Sequence, residues 1–317
     1  MNVNIPAYLL FIFCSSVLCC LLFMLSAVKT LKLPAGKAGA LSGLVLVLGA
    51  VLGLAGAKLL YFLFRFSYIL KTGFFSYLFS LNQNELSYYG GAAGVCLAVV
   101  LAARMMKIKP VKALNAFAVS GALLAALFRF AEYWLGSLGT GDYLEQGLPF
   151  PFAVSEVWNP DFPEYYMAIF MLEGIIYLRI ALFAFRNRKD RLCFLRTVFY
   201  LCIAQIILES MRAQSIRWLF VRYEQLLCYL IAEGILIWYA LAGKKAGKKN
   251  WSAALWGLAV CGLTVLAEYM LDGKISFGES DLPPVVIYAF VAWILLELTA
   301  AEHAARKKLP GVTEAKA

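Results

Sequence analysis

The chain has 317 residues, of which 62% are hydrophobic and only 15% charged. A soluble domain is roughly half apolar and about a quarter charged, so a globular core cannot hide this much apolar surface. The formal charge of +10 excludes a nucleic-acid partner rather than suggesting one: the cations sit in short loops between apolar runs, with no basic surface domain to carry them. The chain reads as an all-α polytopic membrane protein.

Apolar segments of the roughly 20 residues that cross a bilayer core of about 30 Å run near 7–28, 42–66, 88–106, 112–135, 165–186, 192–211, 222–242, 251–271 and 284–303. That makes about nine transmembrane helices. The first opens "MNVNIPAYLL" with no positive n-region and no small-residue cleavage site, so it reads as a retained helix. Leu18 before Cys19 is too large for a lipobox, so the protein is not itself expected to be a lipoprotein.

Charge orients the bundle. Lys29, Lys32 and Lys37 follow span one, Arg104, Lys107, Lys109 and Lys112 span three, and Arg186, Arg188, Lys189 and Arg191 span five. Lys244, Lys245, Lys248 and Lys249 follow span seven, and Arg306, Lys307 and Lys308 span nine. Every odd span therefore ends inside, with the N-terminus outside and the C-terminus cytoplasmic. The external side carries "GSLGTGDYLEQGLPFPFAVSEVWNPDFPE" and "DGKISFGESDLPP". The first is too long for a mere connection, and its Gly, Pro and aromatic content, with Phe150, Phe152 and Trp158 suited to headgroup depth, predicts an ordered cap folded over an external mouth. Arg212, Arg217 and Arg222 break the charge rule in the external loop after span six. They read either as anchors to outer-leaflet phosphates or as the border of a headgroup site, since guanidinium groups grip phosphate in a fork.

Seven of the eight cysteines lie inside apolar segments, no C-x-x-C pair occurs, and His303 is the single histidine. Neither a disulfide framework nor a metal site follows from that. The chemistry must come from ionisable groups placed in the membrane, where each is costly unless paired or wetted. These are Lys58, Arg129, Glu132, Glu173, Arg179, Glu209, Glu233, Glu268 and Glu297. Helical spacing puts Arg129 and Glu132 on one face, and Gln205, Glu209 and Arg212 in one stripe. With the Tyr88–Gly91 mouth of span three, both groups lie toward external helix ends, which suits a cavity open to the outer leaflet. The alternative is that Arg129–Glu132 and Glu209–Arg212 are internal ion pairs. Gly90 and Gly91 are open to two readings as well: a place where a phospholipid headgroup lies against backbone N–H groups at a helix N-terminus, or a small-residue contact between helices.

The order of motifs resembles the prolipoprotein diacylglyceryl transferase family. "SYYGGAAGV" is similar to that family's His-Gly-Gly helix opening, and "ALNAFAVSGALLAALFRFAEYWLG" to its next helix, which ends in an essential arginine motif. "LAGAKLLYFLF" resembles the "G-G-R-x-x-Y" helix, with Lys58 at the arginine and Tyr61 retained. "FPEYYMAIFMLEG" matches at Pro163, Glu173 and Gly174, and "AQIILESMR" resembles "F-R-x-x-x-E-x-x-R". The resemblance covers residues 6–242. It implies a seven-helix transferase-like domain over 1–242, an added transmembrane hairpin over 243–304 and a basic cytoplasmic tail over 305–317.

It further implies transfer of a diacylglyceryl group from phosphatidylglycerol to a lipobox cysteine thiol, in a bacterial plasma membrane, with no cofactor. The implied partners are phosphatidylglycerol or another anionic phospholipid, and prolipoprotein signal peptides. Arg129, Tyr89 and Glu132 fall at catalytic positions, and Gly90, Gly91, Lys58, Tyr61, Gln205, Glu209 and Arg212 at substrate-binding ones. Tyr89 stands in place of the family's histidine, Glu132 of asparagine, Asn115 of aspartate and Gln205 of a second arginine. A tyrosine with an ordinary pKa near 10 is a poor base at neutral pH. The alternative is a non-catalytic paralogue that binds phospholipid or a partner protein.

Overall fold

The structure, a computed structural model, describes residues 4–80, 85–145, 147–159, 162–213, 215, 217–218, 221–245, 251–274 and 283–309. Most of the lysine-rich loop after span seven, most of the acidic loop after span eight, the end of the basic tail and the Trp158 and Pro163 side chains lie outside that description. The chain divides into two compact units, Met1–Thr197 and Val198–Ala317, and each is taken by itself.

In the first unit, α1 (Ile5–Leu31) begins where the Asn4 side chain accepts the Ala7 N–H at 3.0 Å, and it ends at Lys32 in a left-handed conformation. A Pro34 entry starts α2 (Ala35–Phe64). That helix begins seven residues before the expected span, because the Ala-Gly-Lys-Ala-Gly run is helical although weakly apolar. Two short helices, α3 (Phe66–Thr72) and α4 (Phe74–Phe79), follow. They meet at Gly73, whose φ of 117° lies where side chains are rarely tolerated. Ser87 caps α5 (Tyr88–Met105), and α6 (Pro110–Ala131) runs on into a 3-10 stretch over Glu132–Gly139.

Helix α5 lies against α2 at backbone contact distance. A Cβ on Gly90 would sit 2.2 Å from the Gly56 carbonyl oxygen, and one on Gly94 would sit 2.0 Å from that of Leu52. Small residues spaced four apart on both helices let the backbones meet, which is how helices associate where no hydrophobic effect drives them together. The inner core joins α1, α2, α5 and α6 through Phe23, Leu41, Val45, Val99 and Phe117, with the Phe23 and Phe117 rings edge to face at 5.4 Å.

The segment after the 3-10 stretch is not helical. Strands β1 (Tyr143–Leu144), β2 (Ala153–Asn159) and β3 (Phe162–Met167) form an antiparallel sheet in the order β1-β3-β2, with Val154 opposite Tyr166 and Ser155 opposite Tyr165. The fifth span therefore begins at Ile169, not 165: Tyr165, Tyr166 and Met167 look continuous with the apolar run but pair as strand residues. Helix α7 (Ile169–Arg186) follows, its Gly174 giving room to the Phe130 ring of α6.

Helix α8 (Cys193–Ser210) leads into the second unit. A two-stranded turn of β4 (Arg217–Trp218) and β5 (Val221–Arg222) joins it to α9 (Tyr223–Lys245), and α10 (Ser252–Leu271) and α11 (Pro284–Lys307) complete the order. Among the described residues, nine long helices coincide with the nine expected spans. Eight are long and apolar enough to cross a membrane. The ninth, α7, is 18 residues long and carries Glu173, Arg179 and Arg186. The protein is an all-α polytopic membrane protein with small sheets confined to its loops.

Candidate functional site

Arg129 lies in the last turn of α6, 2% exposed. Its Nη1 meets Glu132 Oε1 at 2.5 Å, one helical turn on, and its Nε meets Glu173 Oε2 of α7 at 3.1 Å. The guanidinium carbon stands 3.9 Å from the centre of the Tyr88 ring, a cation–π distance. Nη2 is buried with no hydrogen-bond partner among the described residues. The pairing expected between Arg129 and Glu132 is present, and a second carboxylate joins it. Glu173 is fully buried, whereas the Glu132 side chain retains 13% exposure.

Two members of this group lie beyond what sequence spacing reveals. Glu173 is recognisable as a membrane charge, but no spacing along one helix reveals a partner on another. Tyr88 precedes the residue in the family's histidine position. Consecutive residues point about 100° apart on a helix, and it is Tyr88 that covers the guanidinium. Tyr89 packs edge to face with Tyr88 at 5.3 Å.

The two glycines separate. Gly90 is buried against Gly56, and its N–H faces Ser87 Oγ at 3.4 Å, while the Gly91 N–H donates to the Ser87 carbonyl at 3.1 Å. Both N–H groups are thus turned to the helix cap, and the expectation of a backbone cradle for a headgroup gives way at Gly90 to a helix contact. A Cβ on Gly91 would meet nothing nearer than 3.7 Å.

Lys58 has three backbone partners. It is 8% exposed, and its Nζ donates to the carbonyls of Tyr77 at 2.6 Å, Leu78 at 3.2 Å and Ser80. Three N–H donors face three acceptors, so the ammonium caps the C-terminal end of α4, where cations are favoured. Tyr77 returns the contact, its hydroxyl donating to the Lys58 carbonyl at 2.5 Å. Tyr61 stacks on Tyr77 with ring centres 6.0 Å apart, and both line a cavity of about 140 Å³ with Tyr68, Ser76 and Glu85. Asn115, at the family's aspartate position, is a clamp: its Nδ2 donates to the Arg191 carbonyl at 2.7 Å and its Oδ1 accepts the Phe194 N–H at 2.9 Å.

In the second unit the predicted stripe is real. The fully buried Gln205 donates to Glu209 Oε2 at 2.9 Å, and Arg212 Nε stands 3.5 Å from the same oxygen. Arg222 is not a free headgroup ligand: its Nη1 donates to the carbonyls of Glu209 at 2.6 Å and Arg212 at 2.5 Å. Its Nε lies 3.6 Å from Glu268 of α10. Glu268 also accepts from Gln225 at 3.0 Å and from Ser210. Arg217 pairs with Asp272 at 3.2 Å.

Among the described residues no group of three or more potential metal ligands comes together. No curated protein and no solved structure matches the chain. Residues 1–240 match the family model of prolipoprotein diacylglyceryl transferase, a span that holds the Arg129 group, the two glycines and the Gln205 stripe, and the chain belongs to that family.

Proposed function

We propose that the protein is a divergent phosphatidylglycerol–prolipoprotein diacylglyceryl transferase in which Arg129 receives the lipid phosphate and Glu132 replaces the absent histidine as base. The observation that carries this reading is the buried Nη2 of Arg129, which has no hydrogen-bond partner among the described residues while Tyr88 and two carboxylates fix the rest of the guanidinium. Such a donor is held ready for an anion in a site of low dielectric, where electrostatic stabilisation is strongest.

A lipobox cysteine gives its thiol proton to the Glu132 carboxylate, the more exposed of the two acids, and the thiolate is the nucleophile. Sulfur bonds to the glyceryl carbon, the bond from that carbon to the phosphate oxygen breaks, and glycerol phosphate leaves against Arg129. In the second unit, Gln205 orients Glu209 for its ion pair with Arg212. The predicted setting is a bacterial plasma membrane with the N-terminus outside.

One observation favours a second reading. Lys58 is spent on three carbonyls, and Arg129 faces two carboxylates at once. That suits a protein that keeps an anionic phospholipid site without performing transfer. Purified protein with labelled phosphatidylglycerol and a lipobox peptide separates the two: label on the peptide thiol, abolished by Glu132→Gln, supports the transferase. Lipid binding without transfer supports the second reading, and absence of both refutes the site.

A further inference from the structure

Two exposed charges well inside the long helices have no part in either polar group. Arg179 of α7 is exposed, on the face that also exposes Ile175, Leu178 and Leu182. Glu297 of α11 is exposed as well, beside Trp293 and Leu296, which are 57% and 67% exposed. Neither has a hydrogen bond or ion pair among the described residues. Lys58, Arg129, Glu173, Glu209 and Glu268, by contrast, are buried. A charge turned outward from a membrane bundle meets hydrocarbon unless something polar covers it.

The depths of the two agree. Both helices end in a cationic cluster, Arg186–Arg191 after α7 and Arg306–Lys308 after α11, which assigns both ends to the same side of the bilayer. At about 1.5 Å per residue, Arg179 lies about 10 Å inward from Arg186, and Glu297 about 13 Å inward from Arg306. The two distances from the cationic helix ends differ by less than the reach of an arginine side chain, so the arginine of one copy and the glutamate of another can meet.

We propose that two copies of this chain associate in the membrane through Arg179 of one copy and Glu297 of the other, with Trp293, Leu296 and Leu178 forming the apolar surround. Each copy offers both partners, so copies of the chain are complementary in charge to one another. The surround excludes lipid from the ion pair, which keeps the attraction strong. Helix α11 lies beyond the residues that match the transferase family, whereas α7 lies within them, and the contact does not depend on the transferase reading.

The test uses the full chain in phosphatidylethanolamine–phosphatidylglycerol vesicles, with association read by energy transfer between two differently labelled preparations. Wild-type copies are expected to pair. Arg179→Glu alone and Glu297→Arg alone are each expected to weaken self-association at least tenfold, because each puts like charges opposite one another. Mixed together, the two variants are expected to pair as wild type does, since one supplies two acids and the other two bases. A misfolded variant cannot show that rescue. Should either reversal fail to fold, Arg179→Gln and Glu297→Gln carry the same test, each expected to weaken pairing. A wild-type chain that stays monomeric at high protein-to-lipid ratio overturns the proposal. So does pairing indifferent to these substitutions, or a mixture no better associated than its components.

Discussion

At the scale of single residues, the membrane charges Lys58, Arg129, Arg222 and Glu268 each have more than one partner. Such sharing makes a single deletion costly. Removing Arg129 leaves Glu132 and Glu173 facing each other without a cation, and breaking a buried pair by deleting one member costs about 3–5 kcal/mol. Arg129→Gln is expected to lose about that much, measured by thermal unfolding in detergent. Adding Glu132→Gln should recover only part of it, because the fully buried Glu173 still lacks its arginine. Full recovery would mean that Glu173 contributes nothing. Lys58 makes the complementary case. Lys58→Met strands the three carbonyls of Tyr77, Leu78 and Ser80, and hydrogen bonds to a charged group are worth about 1.5–3 kcal/mol each at most. The expected loss is about 2–3 kcal/mol with faster amide exchange confined to α4, while binding of phosphatidylglycerol persists. Loss of lipid binding with α4 exchange unchanged would restore Lys58 to the substrate site.

At the scale of elements, the packing of α5 on α2 separates two glycines that stand a turn apart on one helix. Gly94→Ala forces a methyl group to 2.0 Å from the Leu52 carbonyl oxygen, and overpacking of that kind costs about 1–3 kcal/mol or more. Gly91→Ala meets only ordinary contacts and gains helix propensity, so its stability should stay within about 0.5 kcal/mol of wild type. Unfolding of both variants in the same detergent decides this, and equal losses would refute the contact. The helices themselves were legible because hydropathy over about 20 residues is an unambiguous signal in a bilayer. So was any pair one or two turns apart on a single helix, as Arg129–Glu132 and Gln205–Glu209 show. The β2–β3 hairpin was not legible, since short apolar runs do not tell strand from helix by periodicity, and Tyr165–Met167 run straight into the apolar start of α7. Contacts between separate elements, such as Arg129–Glu173 and Arg222–Glu268, leave no trace in the spacing of either partner.

At the scale of the whole molecule, the boundary drawn at 242/243 follows where the family resemblance ends, and the compact units follow another line, with most of α8 and all of α9 through α11 in the second. The physical reason lies in Glu268. Within the matched region Glu209, Arg212 and Arg222 sum to one positive charge, and the carboxylate that balances it comes from α10, through Arg222, Gln225 and Ser210. Tyr229 and Thr264 add a hydroxyl pair between α9 and α10. An appended hairpin would leave the preceding helices able to fold alone; a hairpin that completes a buried charge network would not. Glu268→Gln is therefore expected to cost about 3 kcal/mol by leaving Arg222 without its counter-ion, and Arg222→Gln in the same chain should return most of that loss, since two neutral groups need no balancing. A chain ended after Lys245 should go further and lose cooperative unfolding of α8 and α9, read as rapid amide exchange at residues 205–210 and 223–232. Retention of slow exchange there in the shortened chain, together with a neutral effect of Glu268→Gln, would show that the last two helices are an ornament on a self-sufficient family domain.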